Sequence, residues 1–293
     1  MHKSADSSFL QAHEDPDLFR EAISFTAAQS HFLPRLIEKD YFCSLLLNYL
    51  ERCDSSLVFK GGTCLAKVHA EFHRLSEDID FTIPASRAVS RSDRRRLSVA
   101  LKDAVAHLPR ELITFRLIEP LTGANNSTQY TATVGYTSLI TRSEETVRIE
   151  VGMREPLMRK VWNGMARTIL LDPVSARPML PPIPVRCLSR NESMAEKLRA
   201  ALSRRDAAIR DFYDIDYAVR RMDFQFLDAA FVRLVKQKIT VAGTDPVDTS
   251  PDRLASLWRQ LETQLKPVLR VHDFAQFDLE RAFRVVADVA ALL

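Results

Sequence analysis

The sequence predicts a mixed α/β (α+β) fold: a small mixed sheet flanked by helices, followed by a C-terminal helical lobe. Three observations lead there. Residues 55–83 read as strand, glycine turn, helix and strand; residues 129–151 read as a hairpin rich in Thr, Val, Tyr and Ile; and from residue 193 onward the periodic segments are helical.

In chain order, residues 17–25 and 33–52 carry helical spacing, the second through Leu33, Leu36, Ile37, Tyr41, Leu45, Leu46, Tyr49 and Leu50. Residues 55–59 form a short β-favouring run. Residues 63–72 are helical with Thr63 as N-cap, and residues 78–83 alternate as a strand that Pro84 stops. The intervening helix is long enough to carry the chain back, so the glycine turn and the second strand share one edge of the sheet. Residues 92–108 are helical, and residues 129–140 and 145–151 are strands joined by a polar turn at 141–144. Pro156, Pro173, Pro178, Pro181, Pro182 and Pro184 then crowd a stretch unsuited to helix or central strand, because each proline lacks a backbone donor. This stretch marks the domain boundary, with residues 1–185 holding the sheet and the N-terminal helices and residues 186–293 forming the helical domain. Helices are expected there over 193–202, 212–221, 224–239, 253–265 and 278–292, with Ser250 and Pro251 as cap and first turn of the fourth.

The 293 residues suffice for about two average domains, so a core can form without covalent staples. With 46% hydrophobic and 27% charged residues, the composition is that of an ordinary globular protein. The opening, residues 1–17, lacks the layout of a signal peptide. The most apolar end, residues 285–293, is interrupted by Asp288 and falls far short of the roughly 20 residues of a membrane helix. Cys43, Cys53, Cys64 and Cys187 form no C-x-x-C pair and are read as reduced. Together these features predict a cytoplasmic protein with no membrane partner. The net charge of +3 implies no particular partner, but between Arg159 and Arg210 eleven basic residues face four acidic ones. That excess suits a phosphate-bearing ligand or nucleic acid; a solvated helical face is the plainer account.

The chemistry-bearing pattern is Ser76-Glu77-Asp78-Ile79-Asp80-Phe81. A two-residue strand period puts Asp78 and Asp80 on one face, about 6.5–7 Å apart at Cα, with Ile79 and Phe81 on the other. Two such carboxylates repel unless a cation sits between them, and hard oxygen donors suit Mg²⁺, with Mn²⁺ as an alternative. Alternating acids on a solvated strand are also common, so the pair gains its meaning from context. Glycine is scarce, seven residues in all, yet Gly61 and Gly62 are adjacent, at the start of a helix and beside Lys60. Such a turn offers backbone N–H groups to phosphate. A third acid on a neighbouring strand would complete a metal cage. Glu150, flanked by Ile149 and Val151, is the candidate; taken alone, a solvent-facing residue of an amphipathic strand is the plainer reading.

Lys60-Gly61-Gly62-Thr63-x-Leu65-x-Lys67, followed by Arg74-Leu75-Ser76-x-Asp78-Ile79-Asp80-Phe81, resembles the signature of the AbiEii/AbiGii toxin family, which includes the MenT-like toxins and belongs to the DNA polymerase β-like nucleotidyltransferase superfamily. The resemblance extends to Ile37-Glu38-Lys39-Asp40-Tyr41, to Glu196-Lys197-Leu198-Arg199-Ala200 with Arg204, and to Arg210-Asp211-Phe212-Tyr213-Asp214. It implies a nucleotidyltransferase fold and transfer of a nucleotide from an NTP, with Asp78, Asp80 and Glu150 as metal ligands. Gly61, Gly62, Thr63 and Ser76 would contact the phosphates, with Lys60, Lys67 and Arg74 as further candidates. The second domain would contribute Lys197, a nucleotide contact, and Asp211, an active-site acid, to the cleft between lobes. Lys197, Arg204 and Asp211 would share a stripe on a continuous helix, though residues 205–208 suggest a break. Cys64 stands where the family more often carries a small residue such as Ser and is read as packing.

The resemblance further implies a toxin of a type IV-like toxin–antitoxin or phage-defence (abortive infection) system, with a cognate antitoxin encoded nearby. The expected acceptor is RNA, foremost the tRNA acceptor end, in keeping with the basic stretch. The competing reading keeps the fold but moves the acceptor to a small hydroxylated molecule or a protein side chain. A binding module without catalysis is disfavoured because Asp78, Asp80 and Lys197 are all intact. His69 and His73, spaced i, i+4 around Glu71, lack the H-E-x-x-H order of a zinc helix and are read as surface residues.

Overall fold

The computed structural model describes residues 11–85, 89–241 and 244–293; residues 1–10, part of the opening read for a signal peptide, lie outside them. The chain divides into two compact units, Met1–Pro156 with Asn163–Cys187, and Leu157–Trp162 with Leu188–Leu293.

In the first unit, α1 (Pro16–Ser30) is capped by Asp15, whose carboxylate accepts the N–H groups of Asp17 and Leu18, with Pro16 in the first turn. Helix α2 (Pro34–Cys53) buries Leu36, Ile37, Tyr41, Leu45, Leu46 and Leu50, but also Glu38, Lys39, Asp40 and Ser44. Helical periodicity cannot account for that second group; partners do. Lys39 bonds Glu77 at 2.9 Å, Asp40 bonds Lys67 at 2.6 Å, and Glu38 accepts the Ser138 hydroxyl and, at 2.7 Å, the Leu139 N–H.

The sheet comprises β1 (Val58–Lys60), β2 (Ile79–Thr82), β3 (Phe115–Ala124), β4 (Gln129–Thr137), β5 (Glu144–Gly152), β6 (Trp162–Ala166) and β7 (Ile183–Cys187), in the order β3-β4-β5-β2-β1-β7-β6. β1 and β2 are antiparallel, β2 and β5 parallel, and β1 and β7 parallel; β3, β4 and β5 form an antiparallel meander, so the sheet is mixed as expected. Its central strands are pinned by Val58, Phe59, Ile79, Phe81, Val147, Ile149 and Val151, all fully buried.

Several local expectations need correction. The proline-rich stretch is not simply a boundary: it contains β7, an interior strand in which Pro184 occupies an exposed position between buried Ile183 and Val185. Strand β3 was not anticipated. It carries Pro120, and its pairing with β4 slips between Glu119 and Thr122, the tolerated setting for proline on an edge strand. Lys60, not Thr63, is the N-cap of α3 (Gly61–Cys64), which passes into a π-helical turn over Leu65–His69. The helix expected over 92–108 is two, α4 (Arg91–Leu97) and α5 (Val99–Glu111), meeting at buried Ser98.

The second unit is helical: α6 (Arg190–Ser203), α7 (Ile209–Arg221), α8 (Ala229–Ile239), α9 (Pro251–Trp258), α10 (Val271–Gln276) and α11 (Leu279–Ala290). Ser250 caps α9 by accepting the Arg253 N–H, with Pro251 in the first turn as the sequence predicts. In α11, Leu279, Ala282, Val286 and Val289 recur at helical spacing and are buried. Lys238 of α8 is fully buried and pairs with Glu192 at 2.8 Å and Glu196 at 3.1 Å. Glu192 also accepts the N–H groups of Met158 and Arg159, which fastens residues 157–162 to this unit. No helix among the described residues is long and apolar enough to cross a membrane.

Candidate active site

At the centre of the sheet, Asp80 of β2 is the register partner of Lys60 on β1 and of Glu150 on β5. Residues directly opposite on adjacent strands project to the same face, so Lys60, Asp80 and Glu150 form a row across three strands. The other face carries Ile79 and Phe81, both fully buried, which fixes the register. Asp78 lies one residue before β2 and is exposed.

Gly61 follows Lys60 with φ +75°, and a Cβ there would stand 2.1 Å from Asp80 Oδ2. Two independent constraints thus demand glycine: the left-handed backbone and the close approach of the carboxylate. At Gly62 a Cβ would meet the Arg74 guanidinium at 2.5 Å and Ser76 Oγ at 3.2 Å. The turn therefore gathers Asp80 on one side and Arg74 and Ser76 on the other. Lys60 Nζ reaches over the sheet to 4.0 Å from the position a Gly152 Cβ would take, two residues beyond Glu150 on β5. Thr63 is buried and donates its hydroxyl to the Asp78 carbonyl oxygen, which ties the turn to the aspartate segment and leaves the hydroxyl engaged with protein.

The donor set is right for a hard divalent cation: carboxylates on adjacent strands beside a notch that a Cβ would fill. The three acids do not converge to within 4.8 Å of one another among the described residues. Glu150 instead pairs with Arg148, two residues away on the same strand face, at 2.9 Å, and accepts from Gln129 Nε2 at 3.5 Å. The Arg148 guanidinium thus balances the Glu150 carboxylate from along its own strand. Neither Arg148 nor Gln129 was singled out from the sequence, although the i−2 position of Arg148 was legible.

Of the expected nucleotide contacts, Lys67 is engaged within the protein. Lys67 is 1% exposed and pairs with Asp40 at 2.6 Å and Ser44 Oγ at 2.8 Å, so its ammonium serves the packing of the π-turn against α2. In the second unit, α6 ends at Ser203 and α7 begins at Ile209, so Lys197, Arg204 and Asp211 share no continuous helix. Helix pairing reunites them: Lys197 bonds Asp211 at 2.8 Å and Asp214 at 2.8 Å, while Arg204 approaches Asp211 at 3.3 Å. Asp214 is not among the expected site residues; its i+3 spacing from Asp211 puts both carboxylates on one face of α7.

The histidine reading also changes. His73 is fully buried, and His69, half-buried, lies beside Cys64 and Cys187. Hydrogen bonds to the Cys187 sulfur from Cys64, His69 and the Gly164 N–H pull its thiol down to about 6 against the opposing effect of burial, the Cys64 bond being the largest influence.

The fold resembles that of JHP933 from Helicobacter pylori, with 15% identity, coverage of 89% of this chain and 92% of that one, and a TM-score of 0.50. A second H. pylori crystal structure aligns at 17% identity over 88% of this chain and 94% of that one, also with a TM-score of 0.50. MenT4, a nucleotidyltransferase toxin from Mycobacterium tuberculosis H37Rv, aligns at 19% identity over 93% of each chain with a TM-score of 0.46. No curated protein matches the chain. The family described as nucleotidyl transferase AbiEii toxin, type IV TA system, matches residues 45–287. With well over half of its length covered by that match, the chain belongs to the AbiEii nucleotidyltransferase toxin family of type IV toxin–antitoxin systems.

Proposed function

We propose that this protein transfers a nucleotide from an NTP to an RNA end, foremost the acceptor end of tRNA, as the toxin of a toxin–antitoxin pair acting in phage defence in the cytoplasm. The observation that carries this reading is the row of Asp80 and Glu150 in register on adjacent strands, with Gly61 pressed against Asp80. Asp78, Asp80 and Glu150 would hold Mg²⁺, which when bound supplies Lewis-acid neutralisation of the triphosphate oxygens. The chain's own residues position the donor. The Gly61–Gly62 turn lets phosphate approach the backbone without a side chain in the way, and Arg74, Ser76 and Lys60 surround it with positive charge and hydrogen-bond donors. The RNA terminal hydroxyl attacks the α-phosphorus in line, the bond to the β-phosphate oxygen breaks, and pyrophosphate leaves. Lys197 and Asp211 are proposed as the nucleotide contact and acid supplied by the second unit. The basic stretch between Arg159 and Arg210 favours an RNA acceptor over a small molecule.

The test is incubation of the purified protein with total tRNA, Mg²⁺ and each α-labelled NTP in turn, beside the Asp80→Ala protein. Label on tRNA from one NTP, absent with the variant, is the expected result and names the donor. NTP binding with Mg²⁺ but no labelled RNA would overturn the RNA acceptor and redirect the search to small hydroxylated molecules and protein side chains.

A further inference from the structure

We propose that Cys64, His69 and Cys187 form a second metal site, selective for a soft divalent ion of the zinc class and separate from the acid row. One ligand atom from each residue lies within 4.8 Å of the other two. Two thiolates and an imidazole are a soft donor set, and at Zn–S distances of about 2.3 Å two tetrahedral sulfurs stand roughly 3.8 Å apart. Closing onto a metal therefore asks for a contraction of at most about 1 Å between the sulfurs and about 1.2 Å between sulfur and imidazole nitrogen.

The backbone explains how these residues meet. Positions five apart on an α-helix diverge by about 140° around the axis, so Cys64 and His69 would face different ways on a regular helix. Here Leu65–His69 is a π-turn, closed by the Ala70 N–H to the Leu65 carbonyl at 2.8 Å. Widening the turn to an i→i+5 bond brings residues five apart onto one face. The third ligand arrives from the sheet, because Cys187 ends β7 directly opposite Phe59 of β1, the strand that feeds the glycine turn. Cys64 and Cys187 are fully buried while His69 is half-buried, which leaves a solvent-facing position for water as fourth ligand. On binding, the two thiols release their protons to solvent and no redox change occurs. The ion would fasten the segment immediately after Gly61–Gly62 to β7.

The experiment uses the full-length chain, reduced, with excess Mg²⁺ to occupy the hard oxygen donors, and titrates Co²⁺ as a spectroscopic stand-in for Zn²⁺. The expected result is one equivalent bound, with a thiolate-to-cobalt charge-transfer band, and bleaching of that band by one equivalent of Zn²⁺. The band is lost in Cys64→Ser and Cys187→Ser, weakened at least tenfold in affinity in His69→Gln, and retained in Asp80→Ala. Because His69 is half-buried, His69→Gln remains informative if a cysteine variant does not fold. A folded, reduced wild-type protein with no charge-transfer band overturns the site, as does a band that survives both cysteine substitutions. Neither outcome touches the nucleotidyl-transfer assay, which depends on the acid row.

Discussion

Asp80 on β2 and Glu150 on β5 are direct partners across a parallel strand pair, so two carboxylates separated by 70 positions in sequence stand side by side on one face of the sheet. That relationship gives each acid a distinct test. Asp80→Ala and Glu150→Gln should each reduce nucleotidyl transfer by at least about a hundredfold, the scale at which loss of one charge-stabilising group is felt. Thermal stability should remain within about 1 kcal/mol of wild type, because both side chains are only partly buried. Retention of full transfer by either variant, with folding verified by circular dichroism, would remove that residue from the metal set.

Gly61 admits a sharper prediction. Gly61→Ala places a methyl group 2.1 Å from Asp80 Oδ2 on a backbone at φ +75°, so the turn and the aspartate cannot both keep their positions. The left-handed backbone alone costs about 1–2 kcal/mol in stability, and displacement of Asp80 adds loss of activity. Combined with Asp80→Gly, which clears both the carboxylate and the Cβ that would stand 2.8 Å away, the second penalty should largely vanish, leaving a strongly non-additive double-mutant cycle. Additive effects in chemical denaturation and transfer rate would show that the steric contact is unimportant. Gly62→Ala meets the end of a flexible arginine instead and should be the milder of the two in stability.

Lys67 illustrates how a motif residue can serve the scaffold. It is paired with Asp40 at 2.6 Å in a buried setting, and Asp40 also accepts the Ile169 N–H at 3.2 Å. Lys67→Met leaves Asp40 as a buried charge without its ammonium and should cost about 3–5 kcal/mol. The KM for NTP should stay unchanged in the folded fraction. An unaltered denaturation midpoint with a raised KM would restore Lys67 to the nucleotide site.

The order of elements was legible because each signal was local: the alternation around Asp80, the Thr- and Val-rich hairpin that carries Glu150, and the Ser250–Pro251 cap all act within a few residues. The sequence put Asp80 and Glu150 on separate strands but could not give their register, since no local rule says that β5 joins β2 rather than another strand. What escaped the sequence is long-range or irregular. β7 is an interior strand despite Pro184, which takes an exposed position, and its partner β1 lies far away in sequence, Phe59 pairing with Cys187. The π-turn that brings His69 alongside Cys64 has no signature in residue periodicity, so the histidine reads as a surface residue until Cys187 is placed beside it. Charged residues on α2 were equally opaque, since Asp40 and Glu38 find partners in distant segments at Lys67 and Ser138.

Glu51, near the end of α2, makes the fold itself pH-sensitive. Its carboxyl is pushed up to about 7, chiefly by burial, with the Arg186 N–H at 3.5 Å on Oε2 as a weak counterweight. Oε1 is buried without a hydrogen-bond partner among the described residues, a setting that favours the protonated acid. In the unfolded chain the same group titrates near 4.3. Between these values the native state binds the extra proton, so stability falls as pH rises from about 4.3 through about 7, and the contribution present at low pH is gone above that range. Glu51→Gln is uncharged throughout and removes this slope. With partial exposure discounted, the variant should gain about 1–2 kcal/mol relative to wild type at pH 8 compared with their difference at pH 4.5. Parallel urea denaturation of both proteins across that range measures it. A constant difference between them would mean that Glu51 ionises without cost and that the Arg186 contact fully compensates its burial.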